Sequence, residues 1–89
     1  MQPKHPLLVQ VGKTIRERRK AAGFSQDGFA NHIGLDRSYY GHIERGNYNI
    51  TLLVLEKIAA GLDVDAGALL PSRSEMVGLG PNTSQGSAM

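Results

Sequence analysis

The sequence predicts an all-α fold, and three observations carry that expectation. Apolar residues recur three and four apart in several stretches, and each stretch follows a residue suited to capping a helix. No stretch alternates apolar and polar residues as a half-buried strand would. The expected architecture is a compact five-helix domain over residues 7–70, between a short arm at 1–6 and a flexible tail at 71–89.

Taken in order, Leu8, Val11, Ile15 and Ala22 share helical spacing, and "GF" ends the first helix near Gly23. Ser25 is a good N-cap for a short second helix, "QDGFANHI", with Phe29, Ala30 and Ile33 facing inward. Gly34 stands where a chain leaving a helix needs positive φ. Asp36 caps a third helix running to about Arg45, closed by Gly46 and Asn47. Thr51 caps a fourth, "LLVLEKIAAGL", with Leu52, Leu55, Ile58, Ala59 and Leu62 on one stripe. Asp65 opens a brief fifth turn that ends at Leu70, and Pro71 stops it. Beyond it "PSRSEMVGLGPNTSQGSAM" is rich in Gly, Ser, Pro, Asn and Gln, a composition whose ordering entropy burial does not offset.

Composition narrows the function. With 89 residues and no cysteine, the chain has neither disulfides nor a thiolate for metal binding or catalysis. The apolar runs are too short to span a membrane, and "MQPKHPLLVQVGK" has no stretch suited to a secretory signal, so a soluble cytoplasmic protein is expected. Residues 1–46 hold eight Lys/Arg against four Asp/Glu, whereas residues 47–89 hold two against four. A basic first half suits an anionic partner such as a phosphate backbone, although a merely solvated charged face has the same composition. Asp27, His32 and Asp36 flank the second helix, but no Ser/His/Asp set, paired acid or His-rich metal spacing converges, so neither an enzyme nor a cofactor is expected.

The second and third helices carry the chemistry. Short helices joined by a glycine turn make a helix-turn-helix. Ala30 supplies the small residue at the crossing, Gly34 the turn, and Tyr40 with Ile43 the inward anchors of the third helix. At about 100° per residue, Arg37, Ser38, Gly41, His42 and Arg45 lie on the opposite face, and Gly41 would leave a bare patch for close approach. Arg37, Ser38 and His42 suit base reading in the DNA major groove: an arginine fork on guanine, a serine that donates or accepts, a histidine on an acceptor. Ser25 and Gln26 sit at the positive end of the second helix and suit phosphate contact. Asn47, Tyr48 and Asn49 are further phosphate candidates or simply a polar turn. Tyr39 either bonds a phosphate or covers the helix flank. Arg19 continues an apolar stripe where an unpaired charge is costly, so an Arg19–Glu44 ion pair is expected between the first and third helices, with Glu44 at the border of the inner face.

With these residues in view, "IRERRKAAGFSQDGFANHIGLDRSYYGHIERGNYNITLLVLEKIAAGLDV" resembles the phage repressor/Cro-type helix-turn-helix family. The shared features are the Arg of "RRKAAG", the "SQ" opening helix two, the "IERG" ending helix three and "LEKIAAGL" in helix four. The resemblance covers residues 11–70. Within the family, "LDRSYYGHIERGNYN" looks most like the controller proteins of restriction–modification systems. It implies a five-helix lambda-repressor-like domain that binds operator DNA as a dimer and regulates transcription, with Arg37, Ser38 and His42 reading bases and Gln26 on phosphate. Two positions depart from the pattern. Gly28 replaces the glutamate that completes a capping box, and Ile50 replaces a proline in the loop before helix four.

Leu53 points away from the core stripe of helix four, flanked by Val54 and near Leu69, and these three are the expected contacts of a homodimer. Double-stranded DNA is then the principal partner, with RNA polymerase or a partner protein as further candidates. The competing class is a protein-interaction module, such as an antitoxin half that holds its toxin through helix five or the tail.

Overall fold

The computed structural model describes residues 4–78. Its elements in chain order are α1 (Pro6–Ala21), α2 (Gln26–Ile33), α3 (Arg37–Glu44), α4 (Leu52–Leu62), a 3-10 turn (Ala66–Leu69) and α5 (Arg73–Val77). The first four helices start at side-chain caps. The His5 ring accepts from the Leu7 amide, Ser25 from Gly28, Asp36 from Tyr39 and Thr51 from Val54, each satisfying an orphan N–H of a first turn. Ser25 therefore caps α2 with Gly28 in place of glutamate.

The same four helices end alike. One residue just past each end is left-handed (Gly23, Gly34, Gly46 and Asp63), and the next amide reaches back to a carbonyl five residues earlier. These bonds are Phe24 to Arg19, Leu35 to Ala30, Asn47 to His42 and Val64 to Ala59, at 2.9–3.1 Å. Each end thus turns sharply enough for the next helix to fold back across the one before.

The core lies where α1, α2, α3 and α4 meet. Val11, Ile15, Phe29, Ala30, Ile33, Tyr40, Ile43, Leu55, Ile58, Ala59 and Leu69 are buried there, with Leu7, Leu62 and Val54 partly buried around them. The crossing of α1 on α3 depends on a glycine that helical periodicity leaves unmarked. A Cβ on Gly12 would stand 2.5 Å from the Glu44 carbonyl oxygen and 2.6 Å from that of Ile43, so only hydrogen allows the two backbones this close.

Several expectations are corrected. Leu69 is fully buried at 0 % exposure, so it pins the 3-10 turn onto the core and is not available as a dimer contact. Burying such a side chain contributes about 1.5–3 kcal/mol, which would be lost if it swung out to meet a partner. Leu52, the first residue of α4, leaves the core stripe and is 81 % exposed. Ala22 is exposed beyond the end of α1, and Leu7, not Leu8, packs on the core. Within the expected tail, residues 73–77 form a helical turn because Ser72 and Glu75 make a reciprocal capping box. Residues 79–89 of that tail, and residues 1–3 of the expected arm, lie outside the described residues. Among the described residues no helix is long and apolar enough to cross a membrane.

Candidate nucleic-acid interface

The outward face of α3 is set by what its inward face grips. Tyr40 is fully buried, its ring 5.5 Å from that of Phe29. Its hydroxyl donates to Glu44 Oε2 inside the core. Glu44 is likewise buried and not at a border. Its Oε2 accepts from Arg19 Nε at 2.7 Å, while Oε1 accepts from Arg19 Nη2 at 3.1 Å and Gln26 Nε2 at 3.0 Å. Arg19 Nη1 donates to the Phe24 carbonyl at 2.8 Å, so the guanidinium ties α1 to the turn before α2 as well. One carboxylate thereby joins α1, α2 and α3.

The charge states follow from this packing. Burial alone would push the Glu44 carboxyl up. The hydrogen bonds from Arg19, Tyr40 and Gln26 outweigh it and hold the group below the usual carboxylate value. The hydrogen bond to Glu44 raises Arg19 despite its own desolvation. Burial, then the bond to Glu44, raises the Tyr40 phenol. The phenol remains a donor and the carboxylate an acceptor, and no buried side-chain polar atom among the described residues lacks a partner.

With those residues turned in, Arg37 and Ser38 stand exposed at the first turn of α3. Arg37 Nη1 meets Asp27 Oδ2 at 3.2 Å, both side chains being mostly in solvent. Such a pair is worth little and gives way easily to a better acceptor. Gln26, Asp27, Arg37, Ser38, Gly41 and Arg45 line a shallow polar depression. Gly41 is not a bare patch: it is buried beneath the Gln26 and Arg45 side chains, to which a Cβ would come within 3.3 Å. The small residue gives those two longer side chains room to lie across the helix. Arg45 belongs to this surface although it was not among the expected base or phosphate contacts. Its place one turn past Gly41 was the available signal.

The other expected contacts divide. His42 is half-buried. Its Nδ1 faces Asn47 Nδ2 at 2.9 Å and Arg45 Nη2 at 3.3 Å, and its ring lies 5.0 Å from that of Tyr48. Tyr48 in turn stacks on Tyr39, their ring centroids 5.6 Å apart. Asn47 points its amide at His42, whereas Asn49 is exposed in the loop. The Ser25 hydroxyl accepts from the Gly28 amide at 2.9 Å, at the N-terminus of α2 beside this surface. On α4, Leu53 is 84 % exposed, whereas Val54 packs partly against the core and offers less surface than expected. His32 is exposed and stacks on Phe24 at 4.9 Å, and no group of His, Asp or Glu among the described residues gathers as a metal site.

A capped helix, a left-handed glycine and a second helix displaying Arg37 and Ser38 make a helix-turn-helix, and the family profile of that description matches residues 15–69. The chain belongs to this family, whose relatives are regulators and not enzymes. It is similar to the control protein C.MunI of Mycoplasma sp, 42 % identical over 64 residues that make up 71 % of this chain and 86 % of that protein. Among solved structures, the restriction–modification controller protein C.AhdI from Aeromonas hydrophila superposes with a TM-score of 0.68 at 44 % identity, over 71 % of this chain and 96 % of that one. The controller protein C.Esp1396I, solved as a tetramer in complex with its natural 35 base-pair operator, superposes at 0.64 with 31 % identity, over 80 % of this chain and 90 % of that one.

Proposed function

We propose that this chain is a sequence-specific DNA-binding regulator of transcription that binds a palindromic operator as a dimer and reads the major groove with α3. One observation carries the reading: Tyr40, Ile43 and Glu44 are buried, so Arg37 and Ser38 have nowhere to face but outward, at the start of a helix narrow enough to enter the groove. The operator complex of C.Esp1396I supports it.

In this mechanism Arg37 exchanges Asp27 for the O6 and N7 of a guanine, Ser38 bonds a neighbouring base, and His42 and Arg45 extend the contact along the helix. The free amides at the start of α2, beside Ser25 and Gln26, and the polar Tyr48–Asn49 loop hold the flanking phosphates. Gln26 can touch phosphate only through what its bond to Glu44 leaves free, so its role there is secondary to positioning. The pair formed by Arg19 and Glu44 sets the angle of α3 and makes no DNA contact.

Selection of bound duplexes from a random pool tests this reading. It should return inverted half-sites whose centres are roughly 34 Å apart, one helical turn. Arg37→Ala should cost about 1–3 kcal/mol on the selected site and relax preference at one base pair. Equal losses on selected and random DNA would reduce Arg37 to a phosphate contact, and no enrichment at all would remove the function.

A further inference from the structure

His42 has two ring nitrogens, and the groups around Nδ1 bear on the role of each. Nδ1 is approached by Asn47 Nδ2 at 2.9 Å and by Arg45 Nη2 at 3.3 Å. A guanidinium carries N–H donors and no acceptor, and an amide nitrogen is likewise a donor, so Nδ1 must offer its lone pair to both. A neutral imidazole has one N–H, which is therefore on Nε2. The ring is also held in orientation, with Tyr48 tilted against it at 5.0 Å and Tyr39 stacked behind Tyr48. Asn47 is itself fixed by the turn that ends α3, where its backbone N–H donates to the His42 carbonyl at 2.9 Å.

We infer that Asn47 and Arg45 are positioning residues that lock His42 as the Nε2–H tautomer, so that it presents a single hydrogen-bond donor to DNA and discriminates against cytosine at the base it meets. The inference deepens the proposed function and rests on α3 facing the major groove. A lone donor is satisfied by guanine O6 or N7, adenine N7 or thymine O4. Cytosine offers only its amino group there, and two facing donors leave both unsatisfied. The residue that sets the preference therefore lies outside the helix that reads. Asn47, an expected phosphate contact, acts here through His42.

Two measurements test this on the full chain. Long-range proton–nitrogen NMR of the imidazole at pH 8.5 should show His42 of the parent protein as Nε2–H. Selection from random duplex DNA should deplete cytosine on the order of tenfold at one position of the half-site. Asn47→Ala removes one donor to Nδ1, and both the ring signature and the depletion should weaken. Asn47→Asp puts an acceptor against Nδ1, so the ring should move to Nδ1–H and the same position should turn toward cytosine or adenine, whose amino groups donate. A parent that selects a palindrome but has His42 as Nδ1–H overturns the inference alone. So do variants that lose affinity equally for every sequence, or that keep the parent's preference. A parent without sequence preference removes the functional reading, and the inference with it.

Discussion

At Glu44 one side chain determines both stability and the pose of α3. Its two oxygens take four hydrogen bonds, from Arg19 twice, Tyr40 and Gln26. Glu44→Ala strands a buried guanidinium, a buried phenol and half of an amide, so the loss in urea unfolding should be about 3–5 kcal/mol, the range for breaking a buried pair from one side. A loss under about 1 kcal/mol would mean solvent replaces the carboxylate without penalty. The pH dependence has a definite sign. Because the folded carboxyl lies below the unfolded value, the unfolded chain binds the proton first as pH falls. The stability Glu44 contributes is thus complete above the ordinary carboxylate range, near pH 4.3, and is lost as pH drops through the lower folded value. Glu44→Gln should be less stable at neutral pH and show a shallower acid limb in the same titration. An unchanged acid slope would assign that limb to other carboxylates.

Among the elements, the crossing of α1 on α3 is the tightest contact that directly orients the outward face. Alanine at Gly12 would gain up to about 1 kcal/mol of helix propensity. Its Cβ, however, would meet two backbone carbonyls that cannot rotate aside. Overpacking of this kind costs about 1–3 kcal/mol, and against backbone the upper end should win, so Gly12→Ala should lower thermal stability. Gly67→Ala, with nothing within 4 Å of the added carbon, should stay within about 0.5 kcal/mol of the parent. Equal effects at the two positions would contradict the close crossing. This contrast also marks the limit of what the sequence disclosed. The caps at Ser25, Asp36 and Thr51 and the glycine turns act locally, so the residues themselves specify the helices. Gly12 matters only because another chain segment arrives there, and no spacing along α1 marks it. The same holds for Asn47, which reads as a turn residue until His42 is seen beside it, and for Leu69, whose burial depends on the 3-10 turn folding back to the core.

For the whole molecule, the exposed start of α4 matters most. Leu52 and Leu53 stand side by side at the start of α4, more than four-fifths exposed, with Leu70 also exposed. Adjacent exposed leucines are costly to leave in water and suit a two-fold contact. Leu53→Glu should leave the fold intact, since the side chain touches no core, yet shift sedimentation to a monomer and weaken operator binding more than binding to an isolated half-site. A variant that still sediments as the parent would place the contact elsewhere. Fastening by Glu44 has one more consequence, for redesign. Because the grip on the scaffold and the outward display use different residues of α3, the displayed set can be rewritten without rebuilding its support. New operator preferences should be reachable by exchanging Arg37 and Ser38 alone, whereas grafting the whole helix onto a scaffold that lacks the matching arginine would carry an orphaned carboxylate.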